Sequence, residues 1–188
     1  SKSTAASIVT LGPDNAPVTI EAAVDLECPF SADYLIETLP KLMARYPGKM
    51  RVQIHQAPME FHRIATRAAQ AAVCAQEQGY YWEFQKAILE AQWGKFTDGK
   101  RFSRSAKKEL TPAQVDALAS GLVKFGLSQA KLESCLALSE TRQKVAKQKS
   151  EMEARGLTGV PFSIVGDVKV SGNNSGQLEA GVKKVLGL

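Results

Sequence analysis

The stretch "PVTIEAAVDLECPFSADYLIETLPKL", residues 17–42, changes its hydrophobic rhythm partway along. Residues 17–26 are mostly apolar and rich in β-branched side chains, which suits a short buried strand. From Pro29 to Tyr46 the pattern is helical, with Leu35, Leu39, Leu42, Met43 and Tyr46 three or four positions apart. Pro40 predicts a kink, because its ring clashes with the preceding turn and it has no amide donor. "YPGKM" (46–50) then turns the chain, and "MRVQIHQAP" (50–58) alternates as a second strand. Strand, helix, strand implies a right-handed crossover between two parallel strands. Cys28 stands where the first strand hands over to the helix. The first turn of a helix presents unpaired amide donors and the positive end of the macrodipole, and both favour the thiolate, the reactive form of cysteine. Pro29 fits the first helical position, since its missing donor would be unpaired there anyway. Ser31, one turn on, is placed to donate its hydroxyl to the Cys28 sulfur but cannot form a disulfide with it.

The next segment is helical. Ile64, Ala65, Ala68, Ala72, Val73 and Ala75 predict a small-residue helix ending near Gly79, and a second helix runs from about Tyr80 to Trp93 with Trp82, Ile88 and Leu89 as core. "GKFTDGKRFSRSAKKEL" (94–110) breaks the pattern and reads as an exposed connection. Thr111-Pro112-Ala113-Gln114 is a helix start, with a cap, a proline in the first turn and Gln three after the cap. Ser128 is a second cap, whose helix continues or kinks toward Arg155 and stops at Gly156. "PFSIVG" (161–166) and "VKVSG" (168–172), joined through Gly166-Asp167, predict a hairpin. Leu178, Val182, Val185 and Leu186 mark a C-terminal amphipathic helix. The expected architecture is α/β. Residues 1–59 and 156–188 form the core, and residues 60–155 a helical insertion, within one domain.

The bulk composition narrows the function. The chain has 188 residues, 44% apolar and 23% charged, as expected of one soluble globular domain. No apolar stretch is long enough for a membrane span. Ser1–Thr4 are polar with no hydrophobic region after them, so no signal peptide is visible. The net charge is +5, and the basic residues cluster in two places: Lys100, Arg101, Arg104, Lys107 and Lys108, and then Arg142, Lys144, Lys147 and Lys149. Neither contains a nucleic-acid motif, and aromatics for base stacking are sparse there. A solvated basic surface is expected, with no nucleic acid and no membrane insertion among the partners. His55 and His62 are the only histidines. They form no close-spaced ligand pair, so no metal is expected; His62, near a helix start, reads as a polar contact. No local signature supports a Cys-His protease dyad.

The segment from "APVTIEAAVDLECPFSADY" through "YYWEFQ" (16–85), with "GLTGVPFSIVGDVKVSGNNS" (156–175), resembles the DsbA-like thioredoxin-fold family of bacterial thiol–disulfide oxidoreductases. The resemblance covers nearly the whole chain. In that family the strand leads into Cys-Pro-Phe-Cys, so the likeness implies Cys28 as nucleophile, flanked by Pro29 and Phe30. "GVPF" is similar to the family's cis-proline loop, which implies that Val160 and Pro161 contact the substrate backbone beside Cys28. Two positions depart from the family. Ser31 replaces the second cysteine. Ala22 stands where many members carry an acidic residue, with Glu21 expected on the opposite face of the strand. Together the two departures imply a monothiol protein.

A single thiol can still attack a disulfide, and an external thiol must then resolve the mixed disulfide. Disulfide isomerisation, reduction of glutathione-type mixed disulfides and sulfenic acid repair all remain open. Each needs an accessible Cys28 and cysteine-containing protein or peptide substrates. Each also needs an external thiol such as glutathione or a redox partner protein, and none needs a bound cofactor. Asp25 and Glu27 oppose the helix dipole at Cys28 by charge repulsion. The residues alone allow Cys74 and Cys135 to be a pair or two buried thiols; the resemblance implies a structural disulfide, and with it a periplasmic or otherwise exported location. The alternative functions are a redox-inactive peptide-binding or chaperone-like module, and glutathione activation by Ser31.

Overall fold

The computed structural model describes residues 8–96 and 102–188. Ser1–Thr4 and, from the first basic group, Lys100 and Arg101 lie outside them. Strands β1 (Val9–Leu11), β2 (Val18–Val24), β3 (Met50–Gln56), β4 (Phe162–Val165) and β5 (Val168–Ser171) form one sheet in the order β1-β3-β2-β4-β5. β2 and β3 are parallel, and the other pairings are antiparallel. β1 is absent from the sequence reading; three residues carry no usable periodicity, and only pairing with β3 makes them a strand.

β2 is central, and its register separates two faces. Ile20, Ala22 and Val24 lie level with Val52, Ile54 and Gln56, and Ala22 with Ser163, on the face of the main core. Ala23 faces the other way, into a smaller cluster with Met152, Leu157, Phe162 and Ile164. Ile20 and Val24 are completely buried, and such side chains each contribute roughly 1.5–3 kcal/mol.

The crossover is α1 (Pro29–Asp33), a π-helical turn (Tyr34–Thr38) and α2 (Leu39–Arg45). The wider π turn sits just ahead of Pro40. It takes up the predicted kink by opening the backbone where the proline ring would meet the carbonyl of Ile36.

Between β3 and β4 come α3 (Ala65–Glu77), α4 (Tyr81–Trp93), α5 (Pro112–Ser120), α6 (Gln129–Ala137) and α7 (Ser139–Ala154). α3 is buried continuously from Ala68 to Ala75 and packs against all four of the others. Its alanines let four neighbours approach one helix, while Arg67 near its start stays partly exposed and pairs with Asp116. Thr111 and Gln114 form the capping box at α5. Ser128 caps α6, and the chain breaks at Leu138 before α7 carries it on to Ala154, the broken rather than the continuous form of the expected helix. Trp82, expected in the core, is 37% exposed; Tyr81 and Phe84 fill the buried positions instead. α8 (Ser175–Leu186) closes the main core with Leu178 and Val182. A Cβ at Gly181 would lie 3.2 Å from that of Val165, so the helix packs closely on β4 and a side chain there would need its neighbour to give. No helix among the described residues is long and apolar enough to cross a membrane.

Candidate active site

Cys28 is the N-cap of α1, with extended dihedrals (φ −76°, ψ 124°) and Pro29 just inside the helix. Its amide donates to the carbonyl of Asp25 (3.0 Å) and its carbonyl accepts from Ala32 (2.9 Å), so the turn into the helix is fixed on both sides. The thiol points toward the carbonyl of Val160, 3.8 Å away, and the Val160–Pro161 peptide bond is cis. Val160 is partly exposed and Pro161 buried. Cys28 is the one free cysteine of the described residues and is only 5% exposed, less open than the sequence reading requires. Phe30 stands at the surface, 48% exposed, with the Arg104 guanidinium 4.7 Å from its ring centre.

Ser31 does not donate to the Cys28 sulfur. It is fully buried, and its Oγ accepts the backbone N–H of Asp25 at 3.2 Å. Glutathione activation by Ser31 finds no support in an oxygen so placed. Ala22 is fully buried too, and beside it Tyr34 and Ser163 share a 2.6 Å hydrogen bond between hydroxyls. Burial pushes the Tyr34 phenol well above its ordinary range. Glu21 lies on the other face as expected, gripped by Arg155 at 2.7 and 2.6 Å. Those hydrogen bonds hold its carboxyl below the usual range, against the opposing effect of burial.

Asp25 and Glu27 flank the site as buried side chains, 1% and 3% exposed. The Asp25 carboxylate accepts from the amides of Glu27 and Met59 (both 2.8 Å) and bonds His62 Nδ1 at 2.7 Å. Glu27 accepts from the amide of Ile64 at 2.7 Å and faces Lys107 Nζ at 3.7 Å. Gln92 of α4 donates to the carbonyl of Leu26 at 2.7 Å. Every residue of the loop before Cys28 is thus tied to the β3–α3 connection, to α4 or to the segment after residue 101. Burying two carboxylates is tolerable only because each is hydrogen-bonded and partnered by a cation or a histidine. The sequence reading missed these ties. Two acids between an apolar strand and an apolar helix are the available signal, and the sequence reading gives them only a charge effect on Cys28.

Cys74 and Cys135 are joined by a disulfide between α3 and α6, 61 residues apart in sequence. The connection 94–110, in the part described, is moored rather than loose. The Phe102 amide donates to Glu37 and its ring packs at a tilt against Trp93, and the Lys108 amide donates to the carbonyl of Gln92 at 2.6 Å.

The family model described as thioredoxin matches residues 3–184. This chain belongs to the thioredoxin family. A curated relative named probable disulfide bond formation protein D, from Bacillus anthracis, is 26% identical over 170 residues, covering 87% of this chain and 70% of the relative. A Na(+)/H(+) antiporter NhaA 3 from Salinispora tropica is 35% identical over 81 residues, 43% of this chain, and the match spans only 12% of the antiporter. Among solved structures, a thioredoxin-like oxidoreductase from Silicibacter pomeroyi superposes with a TM-score of 0.73 at 20% identity, covering 97% of this chain and 94% of the other. The thiol-disulfide exchange protein alpha-DsbA2 from Wolbachia pipientis gives 0.70 at 18% identity, with 94% and 86% coverage. The thioredoxin-family chain therefore has the DsbA-like form of the fold, strands and helices together.

Proposed function

We propose that this thioredoxin-family protein is a thiol–disulfide oxidoreductase acting through one nucleophile, Cys28. The Cys28 thiolate attacks a sulfur of a substrate disulfide. One S–S bond forms as the other breaks, and the departing thiolate takes up a proton. An external thiol then displaces Cys28 from the mixed disulfide, because Ser31 cannot. The observation that carries the reading is the placing of the Cys28 thiol at a helix start against Val160 and Pro161, with a hydroxyl committed to Asp25 one turn on. The relative named for disulfide bond formation supports the chemistry. Substrates would be cysteine-containing proteins or peptides held beside Val160 and Pro161, with glutathione or a redox protein as resolving partner. The Cys74–Cys135 disulfide supports an exported, oxidising location such as the periplasm.

The test is intact-mass analysis after incubation with oxidised glutathione. A single adduct that is lost in Cys28→Ser supports the reading; no adduct on the native protein overturns it. The near-complete burial of Cys28 favours one second reading, a redox-inactive peptide-binding module. Peptide binding that survives Cys28→Ser unchanged, with no adduct on the native protein, would support that reading instead.

A further inference from the structure

Arg104 lies in a short 3₁₀ turn, Arg104–Ala106, on the segment moored across the active-site helix. Its guanidinium sits 4.7 Å from the centre of the Phe30 ring. Three residues on, Lys107 faces Glu27 at 3.7 Å. The segment therefore touches the residue before Cys28 and the residue two after it, and the nucleophile lies between the two contacts.

The two cations differ in what they are free to do. Lys107 is engaged by Glu27 and by Glu109 at 3.4 Å. Arg104 has no hydrogen bond or ion pair from its side chain among the described residues; it is exposed and lies over the Phe30 ring, within electrostatic reach of Asp33. Asp33, whose charge Arg104 influences, is hydrogen-bonded by Asn173 instead. Glu37, the next acid along the helix, pairs with Lys41. Stacking on a ring leaves a guanidinium's in-plane donors uncommitted, and those donors match a carboxylate in bidentate fashion.

We propose that Arg104, positioned by Phe30, is a carboxylate-binding residue that selects disulfide partners bearing a negative charge close to the reacting sulfur. This rests on the exchange chemistry proposed for Cys28 and names the partner class it favours. Cys28 bonds to one sulfur of the partner, the partner's S–S bond breaks, and the leaving thiolate is protonated from solvent. Arg104 takes no part in the bond changes. It raises the local concentration of an anionic partner and orients it. The carboxylate could belong to a small thiol such as glutathione or to an acidic residue beside a substrate cysteine.

The experiment measures the second-order rate of mixed-disulfide formation at Cys28 with oxidised glutathione, neutral 2-hydroxyethyl disulfide and cationic cystamine. It compares the native protein with Arg104→Gln and Arg104→Lys. The glutathione-to-hydroxyethyl rate ratio should fall about five-fold in Arg104→Gln and recover in part in Arg104→Lys, while the cystamine rate rises; added salt should lower the native ratio. Two peptides, with Glu or Lys beside a cysteine activated as a mixed disulfide, separate the sources. Discrimination there as well points to protein substrates, and discrimination with glutathione alone points to the small thiol. An unchanged ratio in Arg104→Gln, or an equal slowing with every disulfide, overturns the proposal while leaving exchange at Cys28 intact. Failure of native Cys28 to react with any of them overturns both.

Discussion

His62 Nδ1 lies 2.7 Å from Asp25 Oδ2, and the same oxygen accepts the amide of Met59 at 2.8 Å. One carboxylate three residues before the nucleophile thereby fixes the loop that follows β3. Its other oxygen holds the amide of Glu27, one residue before Cys28. Shape at Cys28 depends on a buried acid from β2's end and a histidine on a distant connection.

Asp25→Ala should therefore cost about 2–4 kcal/mol, since it strands the buried Glu27 amide and removes the acceptor of the partly buried Met59 amide and His62 ring. His62→Ala should cost less, about 1–2 kcal/mol, because both backbone donors remain. Urea unfolding of the two variants checks the order, and a smaller loss for Asp25→Ala than for His62→Ala would show that the carboxylate is not the hub.

His55 makes a pH prediction. It is 3% exposed, both ring nitrogens lack hydrogen-bond partners among the described residues, and Glu21 Oε1 lies 3.6 Å from Nε2. Burial lowers its titration from the ordinary 6.5, with Glu21 opposing the effect. The folded state thus binds the proton less well than the unfolded chain, so this contribution to stability is complete above about pH 6.5 and is lost as pH falls toward the folded value. His55→Leu should flatten the stability profile in that window and be neutral or stabilising by up to about 1 kcal/mol at pH 7. Denaturant midpoints taken from pH 5 to 8 check both statements.

Removing the insertion disulfide should weaken the fold but spare the chemistry. Closing a loop of 61 residues is worth about 4 kcal/mol in the chain-entropy model. Cys74→Ala/Cys135→Ala should lose about 2–4 kcal/mol, with the rate of Cys28 alkylation unchanged. Equilibrium unfolding and alkylation at 25 °C measure the two effects separately.

Ser31→Cys should restore a dithiol motif. Oxidation should join the introduced thiol to Cys28, read as a loss of two hydrogens on the peptide spanning both positions. Sulfur is a weaker acceptor for the Asp25 amide than the hydroxyl it replaces, so the reduced variant should be about 1 kcal/mol less stable than the native protein. A variant that stays fully reduced under conditions that oxidise free dithiols would show that the buried side chain cannot turn to Cys28.

The strand–helix–strand unit, the capped start of α5, the hairpin at Gly166-Asp167 and the place of Cys28 at a helix start were legible in the sequence. Each is written in local chemistry: a period of two or 3.6, a proline, a cap or a turn pair. The disulfide of Cys74 and Cys135 and the loop of Val160 and Pro161 came from likeness to a family, because nothing local specifies a partner so far along the chain. What tertiary structure alone decided were the orientations. Ser31 turns its oxygen to Asp25, Asp25 and Glu27 go inside, Trp82 goes outside, and Arg104 stacks on Phe30. The reason is energetic. A polar side chain's direction is set by which donors, acceptors and rings the folded chain brings within about 3–5 Å of it, and a sequence read locally does not contain those neighbours.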